Sequence, residues 1–255
     1  EIERMRESGQ IQRQMFEAID EIGREGVTEL DLAAAADRVS RAAGFGSFVR
    51  MRKWPMDCDR VVVASGRAGG APTFFDSAVG GTGVHPLAAL GAGFNRIKAG
   101  DPVLVDIVHV HRGYVADMTR MFSVGPLSNE WVARLEDMNE IAMAVRYSLG
   151  RGENCSTAWG IGAAKAEEMG HGDHLMGMAP DQARFLGHSI GLELDETPVV
   201  AAGFDRPLPV GGTMAIEPKV IHPDGAIGVE DCWVQTSDGM SCLSSGDDFP
   251  LWTEW

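Results

Sequence analysis

Four carboxylates stand where strands ought to be apolar. Asp106 interrupts Val-Leu-Val-Asp-Ile-Val, and Asp117 lies in the segment that returns from a tight turn at Gly113. If that turn centres between His111 and Arg112, Asp106 and Asp117 pair directly across the hairpin, on one face, with Cβ atoms about 4.5–5.5 Å apart. The arrangement recurs downstream. In His222-Pro223-Asp224-Gly225 the proline and glycine suit the second and fourth positions of a type I turn, and a turn there sets Glu217 opposite Glu230. Like charges so placed destabilise a sheet unless something neutralises them. Carboxylates sharing a proton are one answer, but two such pairs in two hairpins point further. Buried carboxylates need a cation, and divalent metals accept oxygen ligands. Four carboxylates with one or two imidazoles can hold two metals about 3.5–4 Å apart and activate water between them. The pattern alone leaves two readings open: such a metal site, or hairpins whose acidic face meets solvent.

The composition narrows the class. With 255 residues, 44% of them hydrophobic and 23% charged, the chain is long enough for one well-buried globular domain. The 22 basic and 37 acidic residues leave a net charge of −15. That argues against a nucleic-acid groove or an anionic membrane surface, since both need basic patches. No run of 18 apolar residues exists to span a membrane. Cys58, Cys155, Cys232 and Cys242 form no CxxC pair, so reduced thiols and a cytoplasmic location are expected. Glycine, at 32 residues, exceeds a background of about 7% and implies many turns and close backbone approaches. No linker or repeat divides residues 1–255, which read as a single domain.

The elements that must position the acids follow from periodicity. A helix is expected over residues 2–25, with Gly26 as its stop. Thr28 and Asp31 open a second helix, which runs through Ala33–Ala36 to Gly44. Val61–Ala64 reads as a short buried strand. The glycine-rich residues 65–100 read as irregular loop with one short strand at most. Strands follow at Val103–His109 and Tyr114–Val124, then helices at Ser128–Leu149 and Ser156–Met169, then a strand- and turn-rich third from Arg184 to Leu243. Helices and hairpins in blocks favour an α+β fold over βαβ winding.

Several separated segments then occur in a telling order: Asp106-Ile-Val-His-Val-His-Arg-Gly-Tyr-Val-Ala-Asp117-Met-Thr-Arg-Met-Phe, Gly187-His188-Ser-Ile-Gly191-Leu-Glu-Leu, Ile216-Glu217-Pro218 and Val229-Glu230-Asp231. Together they resemble the creatinase/methionine aminopeptidase superfamily, peptidase family M24, and most of all its Xaa-Pro dipeptidase/aminopeptidase P branch. The resemblance covers essentially the whole chain. It implies the α+β pita-bread fold, with pseudo-twofold halves and a curved antiparallel sheet flanked by helices. It also implies five metal ligands, Asp106, Asp117, His188, Glu217 and Glu230. In the family the counterparts of Asp117 and Glu230 bridge two divalent ions (Mn, Co, Zn or Fe). Asp106 completes one site, and His188 with Glu217 completes the other. A hydroxide held by the metals attacks the scissile carbonyl, with Glu217 handling the proton. The implied substrate is a short peptide, and a homodimer is expected. The opening Glu-Ile-Glu-Arg-Met-Arg resembles the point where such catalytic domains begin after a separate N-terminal domain.

The surroundings of the ligands depart from the family pattern. Asp195 stands where a substrate-contacting histidine is usual. Gly228 stands where arginine is common, and Ala215 where threonine is usual. The other family histidine matches His85, in Gly-Val-His-Pro, if the intervening loop carries an insertion. These departures open two further readings, a metalloenzyme acting on a small non-peptide metabolite in the manner of an amidinohydrolase or lyase, and a non-catalytic binding module.

Other motifs read as structure. Gly187-His-Ser-Ile-Gly191 matches a nucleophile elbow but lacks the following helix. His171-Gly-Asp-His174 reads as a solvated loop, His109 and His111 as residues at the rim of the site, and His222 as a turn residue. Gly160-Ile-Gly162 has no strand before it to form a dinucleotide site, and Met176 and Met178 read as packing.

Overall fold

The computed structural model describes residues 1–45, 48–52, 58–73, 77–246 and 248–255. Apolar spacing produces helix α1 (Ile2–Asp20), which buries Met5, Met15, Phe16 and Ile19. It stops short of the expected residue 25. The chain leaves it through Gly23, where a Cβ would collide with the Trp255 ring at 1.9 Å. Helix α2 (Glu29–Ala42) opens on the expected capping box: Thr28 accepts from the Asp31 N–H, and the Asp31 carboxylate accepts from the Thr28 N–H.

The strands and remaining helices follow in chain order: β1 (Val61–Ser65), β2 (Val103–His111), β3 (Tyr114–Ser123), α3 (Asn129–Gly150) and α4 (Cys155–Glu168). After them come β4 (Gly187–Ser189), β5 (Glu196–Val199), β6 (Thr213–Ile216), β7 (Lys219–His222), β8 (Gly225–Gly228), β9 (Asp231–Thr236), β10 (Gly239–Cys242) and β11 (Trp252–Glu254). Among the described residues from 66 to 100, only a 3₁₀ turn at Gly66–Ala68 and isolated bridges form, and no strand.

Two halves result, each a helix pair on a sheet. Helices α1 and α2 cover the sheet ordered β1-β2-β3-β11, and α3 and α4 pack toward the sheet ordered β10-β9-β6-β4-β5 and the β7–β8 ribbon. The first sheet is not wholly antiparallel, because β11 runs parallel to β3. Val103, Val105 and Ile107 of β2 join Met15, Phe16, Ile19 and Leu32 in one core. Leu104, on the other face of β2, joins Met138, Ile141 and Val145 of α3 in a second core. A strand buried on both faces explains why Asp106 lies in an unbroken apolar run.

The two acidic hairpins differ in how well their turns could be read. The β2–β3 turn is formed by Arg112 (φ 51°) and Gly113 (φ 91°), so that His111 pairs with Tyr114. It therefore falls half a turn later than expected, because a two-residue turn of the primed type requires positive φ at both central residues. Asp106 consequently faces Thr119, and Asp117 faces Val108. The error is a whole two-residue period, so both aspartates keep one face and become diagonal neighbours. In the second hairpin the register is as read. Lys219 pairs with Gly228 in β7–β8, and Ile216 pairs with Asp231 in β6–β9. Glu217 and Glu230 lie between these two ladders on facing segments.

Replacing Gly113 by valine puts a β-branched residue at φ 91°. Urea denaturation is expected to show a loss of about 1–3 kcal/mol; unchanged stability would mean that the turn does not set the register.

Candidate metal centre

Five strands and the breaks between them bring the acids together. Asp106 and Asp117 come from the shared face of β2 and β3. Glu230 lies where β3 meets the segment before β9, with the Thr119 N–H donating to the Glu230 carbonyl at 3.3 Å and the Thr119 hydroxyl to Glu230 Oε2 at 2.9 Å. Buried Arg120 secures the same junction. Its guanidinium donates to the Glu230 carbonyl at 2.9 Å and takes both Asp231 oxygens at 3.0 Å. His188 arrives on β4, which lies against β6 closely enough that a Cβ at Gly187 would be 2.3 Å from the Ala215 carbonyl oxygen. Beyond β6 the Glu217 N–H donates to the Leu186 carbonyl at 3.0 Å, and His188 Nε2 then lies 3.3 Å from Glu217 Oε1.

All four of Asp117, His188, Glu217 and Glu230 are buried, and Asp106 is largely so. Asp117, His188 and Glu230 each offer a ligand atom within 4.8 Å of the others. Asp117 Oδ1 and Glu230 Oε1 are buried with no hydrogen-bond partner. Orphaned anionic oxygens beside an imidazole are the donor set that a divalent cation takes. The residues at this corner therefore fit a metal ion.

The remaining corner holds a residue the sequence reading did not single out. Lys219 is fully buried, its ammonium 2.7 Å from Glu217 Oε2, 2.8 Å from Glu230 Oε2 and 3.4 Å from Asp106 Oδ2. Its signal in the sequence was the one that exposed the acids, a charge inside an apolar strand, here in Glu-Pro-Lys-Val-Ile. Thr119 and Arg120 were also missed, since their roles depend on the junction between the two halves.

The electrostatics divide the carboxylates. Burial raises the Glu217 pKa, but Lys219 and His188 outweigh it and hold the group down at about 2. Burial and then the Glu217 charge push Glu230 up to about 8. Burial and then Glu230 push Asp117 well above the carboxylate range. Burial opposes protonation of His188, but its contact with Glu217 prevails and lifts it to about 9. Glu217 is thus already compensated, and the unmet demand for positive charge gathers at Asp117 and Glu230.

A cavity opens on this cluster. Asp106, Asp117, His188 and Glu217 form its acidic floor, Met51, Val62, Phe185 and Leu194 part of its apolar wall, and Asp195 lies at its side. Asp195 is fixed by the Arg52 N–H at 2.8 Å. His85 is not among the residues that line it. It is exposed on the 80–95 loop, where its Nδ1 accepts from the Leu87 N–H at 3.1 Å.

His109 and His111 are not at the rim, because they sit on the other side of β2 from Asp106. His109 is buried against α2, its ring 3.0 Å from the Ser40 hydroxyl, and burial lowers its pKa to about 4. His111 pairs with Glu7 at 3.1 Å. The His171–His174 segment is not a solvated loop. His171 Nε2 lies 2.8 Å from Asp137 Oδ2, and His174 stacks on His222 with ring centroids 4.0 Å apart. His222 is thus a packed turn residue. Ser189 donates to the Pro198 carbonyl at 2.8 Å from a buried strand, which leaves no nucleophile elbow. All four cysteines are free.

The family model "Metallopeptidase family M24" matches residues 3–237. The chain belongs to metallopeptidase family M24. The match to this M24 chain from the "Xaa-Pro dipeptidase" of Lactobacillus delbrueckii subsp. lactis is 29% identical over 152 residues, covering 59% of this chain and 39% of that protein. The "Xaa-Pro dipeptidase" of Lactobacillus helveticus is 27% identical over 159 residues, covering 62% and 41%. The M24 chain thus aligns with about two fifths of the length of these curated relatives. Among solved structures, the X-Pro aminopeptidase from Thermotoga maritima MSB8 superposes with a TM-score of 0.79 at 23% identity, covering 100% of this chain and 63% of that one. The M24 domain accordingly has the pita-bread fold, and its family is one of metal-dependent peptidases.

Replacing Lys219 by methionine keeps the stem but leaves the carboxylates without their internal cation. In metal-free buffer, chemical denaturation is expected to show a loss of about 3–5 kcal/mol; a change near zero would mean that the ammonium does not compensate them.

Proposed function

We propose that this M24 domain catalyses metal-dependent hydrolysis of short peptides, at Xaa-Pro dipeptides or N-terminal Xaa-Pro bonds. The observation that carries the reading is the juxtaposition in one cavity of the Asp117–His188–Glu230 cluster and an apolar wall of Met51, Val62, Phe185 and Leu194. The names of the M24 relatives support the Xaa-Pro class. Asp117, His188 and Glu230 would hold the ion, with Glu217 and Asp106 completing the acidic floor. Manganese, cobalt, zinc and iron all suit such oxygen and nitrogen donors. A divalent ion held there supplies Lewis-acid polarisation of the scissile carbonyl and makes water a nucleophile near neutral pH.

The chain's own residues supply the rest. Glu217 stays ionised under the influence of Lys219 and His188, and on this reading its carboxylate accepts a proton from the attacking water and passes it to the leaving amine. The apolar wall accommodates a pyrrolidine ring and excludes water from the reacting carbonyl. Asp195, anchored by Arg52 at the side of the cavity, places a negative charge where a substrate ammonium can be held. The four free cysteines support a reducing, cytoplasmic setting.

The full chain loaded with Mn²⁺ or Co²⁺ is expected to release proline from Ala-Pro and Met-Pro, and a chelator is expected to abolish the release. His188→Ala should lower kcat/KM by at least about a hundredfold. No turnover of any Xaa-Pro peptide with either metal would defeat the reading. Asp195→Asn is expected to raise KM about tenfold with kcat largely kept, the loss of one charge-assisted contact. An unchanged KM would remove Asp195 from substrate binding.

A further inference from the structure

Lys219 has the geometry of a built-in counterion. Among the described residues it is the only fully buried lysine. An ammonium has three protons to donate and no lone pair, and three carboxylate oxygens, from Glu217, Glu230 and Asp106, converge on this one at 2.7, 2.8 and 3.4 Å. Its partner across the β7–β8 ribbon is Gly228, and a Cβ there would lie 2.5 Å from Lys219 Cγ. The same Cβ would lie 2.8 Å from the Lys219 Cα and the Pro218 carbonyl oxygen, so the glycine keeps clear both the ribbon backbone and the start of the lysine stem.

The oxygens without partners lie at the other corner. Asp117 Oδ1 and Glu230 Oε1 accept no hydrogen bond, and they share that corner with His188. A second metal on the Asp106 side, bonded to the Asp106 and Glu230 oxygens that the ammonium contacts at carboxylate distances of about 2.0–2.2 Å, would fall in the space the ammonium fills. The two cations would also repel at contact distance.

We propose that the Lys219 ammonium is the resident cation of the Asp106 side of the centre, so that this M24 domain takes one divalent ion, at Asp117, His188 and Glu230, in place of two. The proposal rests on the metal-dependent reading above and deepens it. The ammonium cancels charge as an ion would, but it has no vacant orbital to bind water. Lewis-acid chemistry is thereby confined to the His188 corner, beside Glu217 Oε1.

The test counts ions, with Mn²⁺ alone as the probe. Elemental analysis of the full chain after equilibration is expected to give one equivalent, with the electron paramagnetic resonance spectrum of an isolated ion. Lys219→Ala and Lys219→Met are expected to take two equivalents and to show a spin-coupled spectrum. Two ions in the unaltered chain, or one in that chain and in both variants, would overturn the proposal. If neither variant folds, the count and spectrum of the unaltered chain decide alone. No bound ion in the unaltered chain overturns it as well, and the metal-dependent reading with it. A single ion without turnover of Ala-Pro defeats the peptidase reading and leaves the ion count standing.

Discussion

Compensation of buried negative charge is the constraint on which this structure depends. At an effective dielectric near 20, two unit charges about 4 Å apart interact by roughly 4 kcal/mol. The net stability of a domain is only about 5–15 kcal/mol. Four ionised carboxylates packed together would therefore exceed what the rest of the fold supplies. The chain meets the problem in two ways. It inserts the Lys219 ammonium among Asp106, Glu217 and Glu230, and it leaves Asp117 and Glu230 to share the remaining charge with an imidazole and a cation from outside. A site under such tension favours a bound cation, because the alternative is protonation of buried acids.

The frame that sustains this tension is rigid backbone. Each aspartate sits on a long strand buried on both faces, so it cannot swing out to solvent. Glu217 and Glu230 occupy the gap between the β6–β9 and β7–β8 ladders, where the backbone departs from regular pairing. Their positions are nonetheless fixed by the Leu186 carbonyl on one side and by Thr119 and Arg120 on the other. Arg120 ties the two halves of the fold together through Glu230 and Asp231. The acids are thus held at the seam between two separately packed cores, where ligands from both halves can converge.

Much of this was legible in the sequence, for reasons that differ by element. Charges inside apolar strands announced the acids, since a buried carboxylate needs a compensating partner. The period of two made the face of Asp106 and Asp117 robust even though the turn was misplaced by one residue. The register of the second hairpin was readable because Pro223 and Gly225 restrict the turn, whereas the first depended on Arg112 adopting a positive φ that its residue type does not signal. His85 shows the opposite case. A histidine in a glycine-rich loop has no periodicity to fix its direction, and here the loop carries it to the surface. His109 was misassigned to the rim, although its odd spacing from Asp106 already placed it across the strand.

Lys219 was less legible because a lysine is ordinarily a solvated surface residue. Yet the arithmetic of charge contained it. A hairpin that faces two glutamates toward each other inside an apolar core must bring its own cation or recruit one, and the nearest basic residue on that hairpin is two positions from Glu217. The glycine opposite it completes the argument. Gly228 is held in a regular strand pair where glycine weakens the ladder, and a Cβ there would collide with the lysine stem and with the backbone at Pro218 and Lys219. A side chain at 228 would press on the stem that carries the ammonium to the acids as well as on the ribbon backbone, so the same glycine serves the close pairing of the strands and the placing of the charge.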